Sequence, residues 1–184
     1  MDRAFLVGEK IYLRPLDRDD LENDYIQWVN DEEVSRFMET LNFPTTKEKL
    51  ESYFENIMKS NNDVFFAIIE KKTDKHIGNV KININWVDRL GIYGRMIGDK
   101  GSRGKGYGTE VSKLMIKYSF ERLNLHKVMI GVMESNIASI KSNEKVGMKI
   151  EAKLKDHSYR LGKWEDVIYM SIFRDDYFKL KQKG

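Results

Sequence analysis

Arg103-Gly104-Lys105-Gly106-Tyr107-Gly108 is the stretch of this chain whose residue types and spacing point most directly to chemistry. Glycine lets backbone N–H groups turn toward a ligand with no Cβ in the way. A helix beginning here leaves its first N–H groups unpaired and partly positive. Arg103 and Lys105 add full charges. Such a loop suits an anion, and several amides together suit a pyrophosphate. The helix-end contribution is about 0.3–1 kcal/mol when exposed and up to about 2 when partly buried. A glycine-rich turn that only joins strand to helix has the same composition, so the loop alone leaves both readings open.

Two other phosphate motifs do not fit. A Walker loop needs Gly-Lys followed by Ser or Thr, and Lys105 is followed by Gly106. A dinucleotide fingerprint needs a third glycine three positions after the second, and the third position after Gly106 is Thr109.

The flanks supply the strand and the helix that the loop requires. Gly91 to Gly98 is predicted as a strand. Val111, Leu114, Met115 and Tyr118 recur at helical spacing, which predicts an amphipathic helix. Upstream, Ile11 to Arg14 reads as a short strand. Asp17 to Glu39 reads as helical with Asp17 as N-cap and a break at Asn30-Asp31. Thr45-Thr46-Lys47-Glu48 has the form of a capping box opening a helix to about Lys59. Val64 to Glu70 and His76 to Trp86 read as a hairpin. Downstream come a strand from Lys127 to Glu134 and a helix from Asn136 to Val146, with Gly147 as its C′ residue. Strands around Ile150 to Arg160 and Trp164 to Phe173 follow, with a turn at Leu161-Gly162-Lys163 between them. Hairpins give antiparallel pairs, and the strand–helix–strand unit across the glycine loop gives a parallel crossover. The expectation is an α/β fold: one mixed, twisted sheet with helices on both faces.

Composition narrows the class. A length of 184 residues with no linker, repeat or low-complexity tract predicts a single domain over 1–184. The 41% of apolar residues is enough for a core, and the net charge of +3 with intermixed signs argues against a nucleic-acid partner. The chain has no cysteine, which excludes disulfides, thiolate metal sites and a Cys nucleophile. Three scattered histidines give no ligand spacing, so no metal is expected. No apolar run reaches the roughly 18 residues of a membrane span, and a cytoplasmic protein with no membrane partner is expected.

The motifs, taken together, resemble the GNAT superfamily of GCN5-related N-acetyltransferases. Arg103-x-x-Gly106-x-Gly108 is similar to that family's signature. Gly104 to Glu110 is close to the form seen in its RimJ/RimL-like branch. The likeness continues in Leu123-Asn124-Leu125-His126-Lys127-Val128 and in Asn136-x-x-Ser139-Ile140-Lys141-x-x-Glu144-Lys145-x-Gly147. It extends to Ile11 to Leu16 and to Gly162-Lys163-Trp164-x-Asp166, covering about residues 8 to 175 and leaving a short C-terminal tail. The resemblance implies a splayed, mostly antiparallel sheet of seven strands that binds acetyl-CoA where the fourth and fifth strands part. It implies cofactor contacts from Met96, Ile97 and Gly98 beside the pantetheine. Arg103, Gly104, Lys105, Gly106, Tyr107, Gly108 and Thr109 would hold the pyrophosphate, with Asn136 and Ser139 on the following helix. For Asn136, a plain helix N-cap is an equal reading.

The implied reaction is attack of an amine on a thioester. Amines of pKa about 10.4 are protonated at neutral pH, so a proton must be accepted somewhere. The carbonyl oxygen needs a donor, which the resemblance places at the backbone N–H of Met96 or Ile97. Many relatives use a tyrosine to serve the departing thiolate, and the matching position here is Asn143. It can donate an N–H but cannot deliver a proton as a phenol can. The strand carboxylate that serves many relatives as base is absent near Ile92 and Tyr93, which leaves Glu134 as the candidate. Its bland alternative is a strand-end surface charge. On the acceptor side, Trp28, Asn30, Tyr159 and Trp164 are candidate substrate contacts, with core packing the alternative for Trp28.

Several functions share these features. One is transfer of acetyl to the primary amine of a small molecule such as an amino sugar. Another is acetylation of protein N-termini or of polyamines. A third is a CoA-binding module without turnover. A polyamine site needs acidic residues, and Asp17 to Glu33 is the segment that offers a cluster. Exposed strand edges also leave a homodimer open.

Overall fold

The computed structural model describes residues 3–183. Eight strands form one sheet: β1 (Leu6–Val7), β2 (Ile11–Pro15), β3 (Asp63–Glu70), β4 (Lys75–Asn85), β5 (Leu90–Ile97), β6 (Lys127–Met133), β7 (Lys149–Arg160) and β8 (Lys163–Phe173). The helices are α1 (Ile26–Asn30), α2 (Glu32–Ser35), α3 (Lys47–Lys59), α4 (Tyr107–Glu121), α5 (Ile137–Glu144) and α6 (Arg174–Lys183). The sheet order is β1-β2-β3-β4-β5-β6-β8-β7, antiparallel except for the β5–β6 pair. The mixed α/β architecture is the one expected. The strand count is eight rather than seven, because the two-residue β1 pairs with β2 and is too short to show an alternating pattern.

Local chemistry explains the boundaries. Asp17 accepts from the backbone N–H groups of Asp19 and Asp20, capping the helical run that leads into α1. That run is widened into π geometry at Leu21–Tyr25. Asp31 breaks it by leaving helical backbone angles, and its side chain accepts from Val34 N to start α2. Thr46 caps α3 and Asn136 caps α5. Gly147 closes α5 at φ 89°, a left-handed conformation that disfavours any Cβ. Residues 174–183, expected as a tail, form α6, and Tyr177 and Phe178 pack against the core.

Two cores lie on opposite faces of the sheet. One joins Ile77, Val80, Ile82 and Tyr93 to Val111, Met115 and Phe120 of α4. The other joins Tyr12, Phe65, Ala67 and Met96 to Tyr25, Trp28, Leu50 and Phe54. Removing a residue such as Met115, which is fully buried, down to Ala costs about 2–5 kcal/mol. Successive β5 side chains alternate between these faces, Tyr93 joining the α4 core and Met96 the other.

Candidate active site

β5 and β6 pair only over Leu90–Ile92 with Lys127–Met129. Beyond that register β6 continues alongside β8, while Tyr93–Ile97 pairs only with β4. The β6-facing edge of β5 therefore carries no strand partner over Tyr93–Ile97, and its backbone groups are available to a ligand lying in the gap. Met96 and Ile97, expected beside the pantetheine, lie on this edge.

The glycine loop sits at the end of the gap. Gly106 is the N-cap of α4 at φ 88°, with no side chain capping the helix, and Gly104 has φ 76°. A Cβ added at either would meet nothing within 4 Å, so the backbone here is open to its surroundings and the left-handed φ is what calls for glycine. Tyr107 behaves otherwise. Its phenol is buried and donates to Glu70 on β3, leaving only its backbone to the loop. The Glu70 carboxylate pushes the Tyr107 pKa up to about 12. Glu110 in the first turn of α4 accepts from Lys10 N and Ile11 N, tying the loop to the start of β2. The loop cations are engaged with carboxylates: Arg103 lies 2.8 Å from Glu33 of α2, and Lys105 lies 3.9 Å from Glu70.

The remaining candidates fall into distinct environments. Asn136 accepts from Ser139 N, so it does cap α5. Gly98 meets Trp28: a Cβ there would fall inside the indole ring. Trp28 is buried and edge-on to His76, with ring centroids 5.1 Å apart. Asn30 ties down a loop, donating to Ile26 O and Thr45 O and accepting from Thr45 N. Tyr159 and Trp164 are exposed, with rings 5.3 Å apart at the tip of the β7–β8 hairpin. Asn42 donates to Tyr159 O, which brings that tip over the α1–α3 face. Glu134 is exposed and 2.7 Å from Lys153, far from the character of an unpartnered base.

Asn143 is fully buried. Its Oδ1 accepts from Tyr93 Oη at 2.8 Å, Arg95 Nη1 at 2.9 Å and Ser112 Oγ at 3.1 Å, while its Nδ2 has no partner among the described residues. Burial raises the Tyr93 pKa, so its phenol stays protonated and donates. Sequence reasoning set Arg95 on the strand beside the pantetheine, through its backbone, and gave its side chain no role. The available signal was a charged residue on the inward face of an apolar strand, in step with Tyr93 and Ile97. A cleft of about 300 Å³ opens on the other face, lined by Asp24, Gln27, Trp28, Asp31, Gly98 and Asp99, with lysines 75 and 100 at its rim.

The acetyltransferase (GNAT) domain model matches residues 10–149, which spans β2 to the start of β7 and includes both the gap and the loop. The chain belongs to the GNAT acetyltransferase family. As a GNAT enzyme it is an acyltransferase with acetyl-CoA as cosubstrate. It is 29% identical over 180 residues to a probable N-acetyltransferase of Bacillus subtilis, YjcK, covering 93% of this chain and 98% of that protein. It is 29% identical over 171 residues to the spermidine N(1)-acetyltransferase of Escherichia coli, covering 92% and 89%. Its fold is similar to the crystal structure of a spermidine N-acetyltransferase from Vibrio cholerae in complex with CoA and spermine. The TM-score is 0.85 at 24% identity, over 92% of this chain and 98% of that one. No helix among the described residues is long and apolar enough to cross a membrane.

Proposed function

We propose that this GNAT enzyme transfers acetyl to a primary amine of a polyamine such as spermidine. The observation that carries the reading is the carboxylate set of the cleft beside Trp28. Asp31 holds the ammonium of Lys100 at 2.9 Å, and Asp99 holds that of Lys75 at 2.8 Å. Asp24 lines the same cleft. Asp31 and Asp99 each already receive a flexible, half-exposed alkylammonium, which is the group a polyamine presents repeatedly along its length. Substrate amines would displace those lysines at modest cost, because exposed ion pairs are worth about 0–1 kcal/mol. The spermidine N(1)-acetyltransferases among the relatives support the same reading. The relatives that name an acceptor name spermidine, so we set the chain beside the spermidine enzymes rather than in a RimJ/RimL-like branch.

In this reading the glycine loop and the start of α4 hold the pyrophosphate. The open edge of β5 lies along the pantetheine, and the N–H of Met96 or Ile97 faces the thioester oxygen. Acetyl-CoA supplies the activated acyl group. The amine's proton leaves through the solvent-filled cleft, since Glu134 is engaged with Lys153. The test is thiol release from acetyl-CoA over spermidine, spermine, amino sugars and N-terminal peptides. Spermidine should be turned over with the highest kcat/KM, and Asp31→Asn should raise its KM. Turnover of amino sugars or peptides with none for polyamines would overturn the reading.

A further inference from the structure

Arg95 is a partly buried cation with no carboxylate partner among the described residues. Arg3, Arg14, Arg18 and Arg103 each meet an Asp or Glu. Arg95 instead donates to neutral oxygens: Asn143 Oδ1 at 2.9 Å, Ser142 Oγ, and, at 3.5 Å each, Ser139 Oγ and Tyr93 Oη. A partly desolvated guanidinium with only neutral acceptors carries positive charge that no neighbouring anion balances. Burial accordingly holds its pKa below the usual arginine range. A second observation falls in the same place. Asn143 Nδ2 is buried with no acceptor among the described residues. The guanidinium is thus held by neutral groups alone, and Asn143, which holds it, keeps its own Nδ2 unpaired among the described residues.

Their location is specific. The Arg95 side chain spans from Gly108 at the start of α4, where an added Cβ would lie 3.4 Å from Nε, to Ser139, Ser142 and Asn143 on α5. It crosses the mouth of the gap where β5 and β6 part. The charged and titratable groups facing it are few: the phenol of Tyr93 on its own strand, with Gly108 and Ser112 from α4 and two serines and an amide from α5.

We propose that Arg95, held by Asn143, receives the negative charge that develops on the CoA sulfur as the thioester breaks. The inference rests on the placement of the pantetheine in this gap. The amine lone pair forms the new C–N bond, the C–S bond breaks, and its electron pair goes to sulfur. The resulting thiolate pairs with the guanidinium, and the proton lost by the amine passes to water. At the position where many relatives carry a tyrosine, this enzyme stabilises an anion instead of supplying a proton. Arg95 is then a catalytic residue, and Asn143, buried behind it, is a positioning residue that holds the guanidinium.

The test is proton linkage in cofactor binding, which needs no acceptor and no turnover. Calorimetry compares CoA with desulfo-CoA, which lacks the thiol, between pH 6 and pH 8. Relative to desulfo-CoA, CoA should bind about threefold to eightfold tighter at pH 8 than at pH 6, as for a bound thiol titrating about 1 to 1.5 units below its free value near 8.5. Arg95→Met should abolish that pH-dependent gain, and Arg95→Lys should retain part of it. Absence of the gain in the wild-type enzyme overturns the proposal, whether or not Arg95→Met folds. Equal weakening of CoA and desulfo-CoA by Arg95→Met also overturns it, because Arg95 would then hold a part common to both. Failure of both ligands to bind the wild-type enzyme would instead overturn the placement of the cofactor.

Discussion

The guanidinium of Arg95 and the amide oxygen of Asn143 lie 2.9 Å apart, joining β5 to α5 across the gap where the sheet opens. The bond links residues far apart in sequence at the point where chemistry is expected. Asn143→Ala removes the acceptor shared by Arg95, Tyr93 and Ser112. Leaving such buried donors unpaired costs about 1–3 kcal/mol. The variant should therefore melt earlier and turn over more slowly, with little change in KM for the amine. Thermal melts and steady-state kinetics measure both effects, and undiminished turnover would remove Asn143 from the mechanism.

Gly106 and Gly98 need glycine for different reasons. At Gly106 the backbone is left-handed at φ 88° and faces open space. Gly106→Val should add about 1–2 kcal/mol of backbone strain and block the loop, so CoA affinity should fall by much more than stability does. At Gly98 the obstacle is the indole of Trp28. Gly98→Ala should destabilise the fold by about 1–3 kcal/mol through overpacking, and the smaller ring of Trp28→Phe should partly restore the melting temperature of the double variant.

Acid should weaken the α1–α3 face first. Burial pushes the Asp20 pKa up, but the hydrogen bond from Arg14, the Asp17 backbone N–H and the charge of His76 outweigh it and hold the value below the usual range. Burial is the main cause of the lowered pKa of His76. Both groups are therefore harder to protonate folded than unfolded. Their stabilising effect is complete above the unfolded values, about 6.5 for His and about 3.9 for Asp, and is lost as pH falls through the folded ones. Denaturation midpoints should decline from about pH 6.5 downward. Asp20→Ala should cost about 1–3 kcal/mol at pH 7 by leaving partly buried Arg14 with only its longer contact to Asp17, with the difference from wild type shrinking toward pH 3.

Much of this was legible in the sequence, and the parts that were not share a cause. The glycine loop, the caps at Asp17 and Asn136, and the Leu161-Gly162 turn are local signals, readable from a few neighbouring residues, while the box read over Thr45 to Glu48 is capped one residue later, at Thr46. The two-residue β1 and the polar-rich α6 exist because they pair with or pack on distant elements, and so left no periodic trace. The same holds for side-chain direction. Tyr107 sits in a ligand-like motif, yet its phenol turns inward to Glu70. Glu134 carries a base-like carboxylate that Lys153 takes up. Arg95 gains its meaning from Asn143 and two serines of α5, contacts that no spacing along the chain displays.

The central claim is that acetyl-CoA lies in the gap between β5 and β6 with its pyrophosphate on the amides that open α4. Titration calorimetry of acetyl-CoA into the wild-type protein and Gly106→Val, both checked for an intact thermal transition, tests it most directly. The account predicts one saturable site per chain in the wild type and at least about a tenfold loss of affinity, near 1.4 kcal/mol, in the variant. No binding by the wild type, or equal affinity in a folded Gly106→Val, would contradict it.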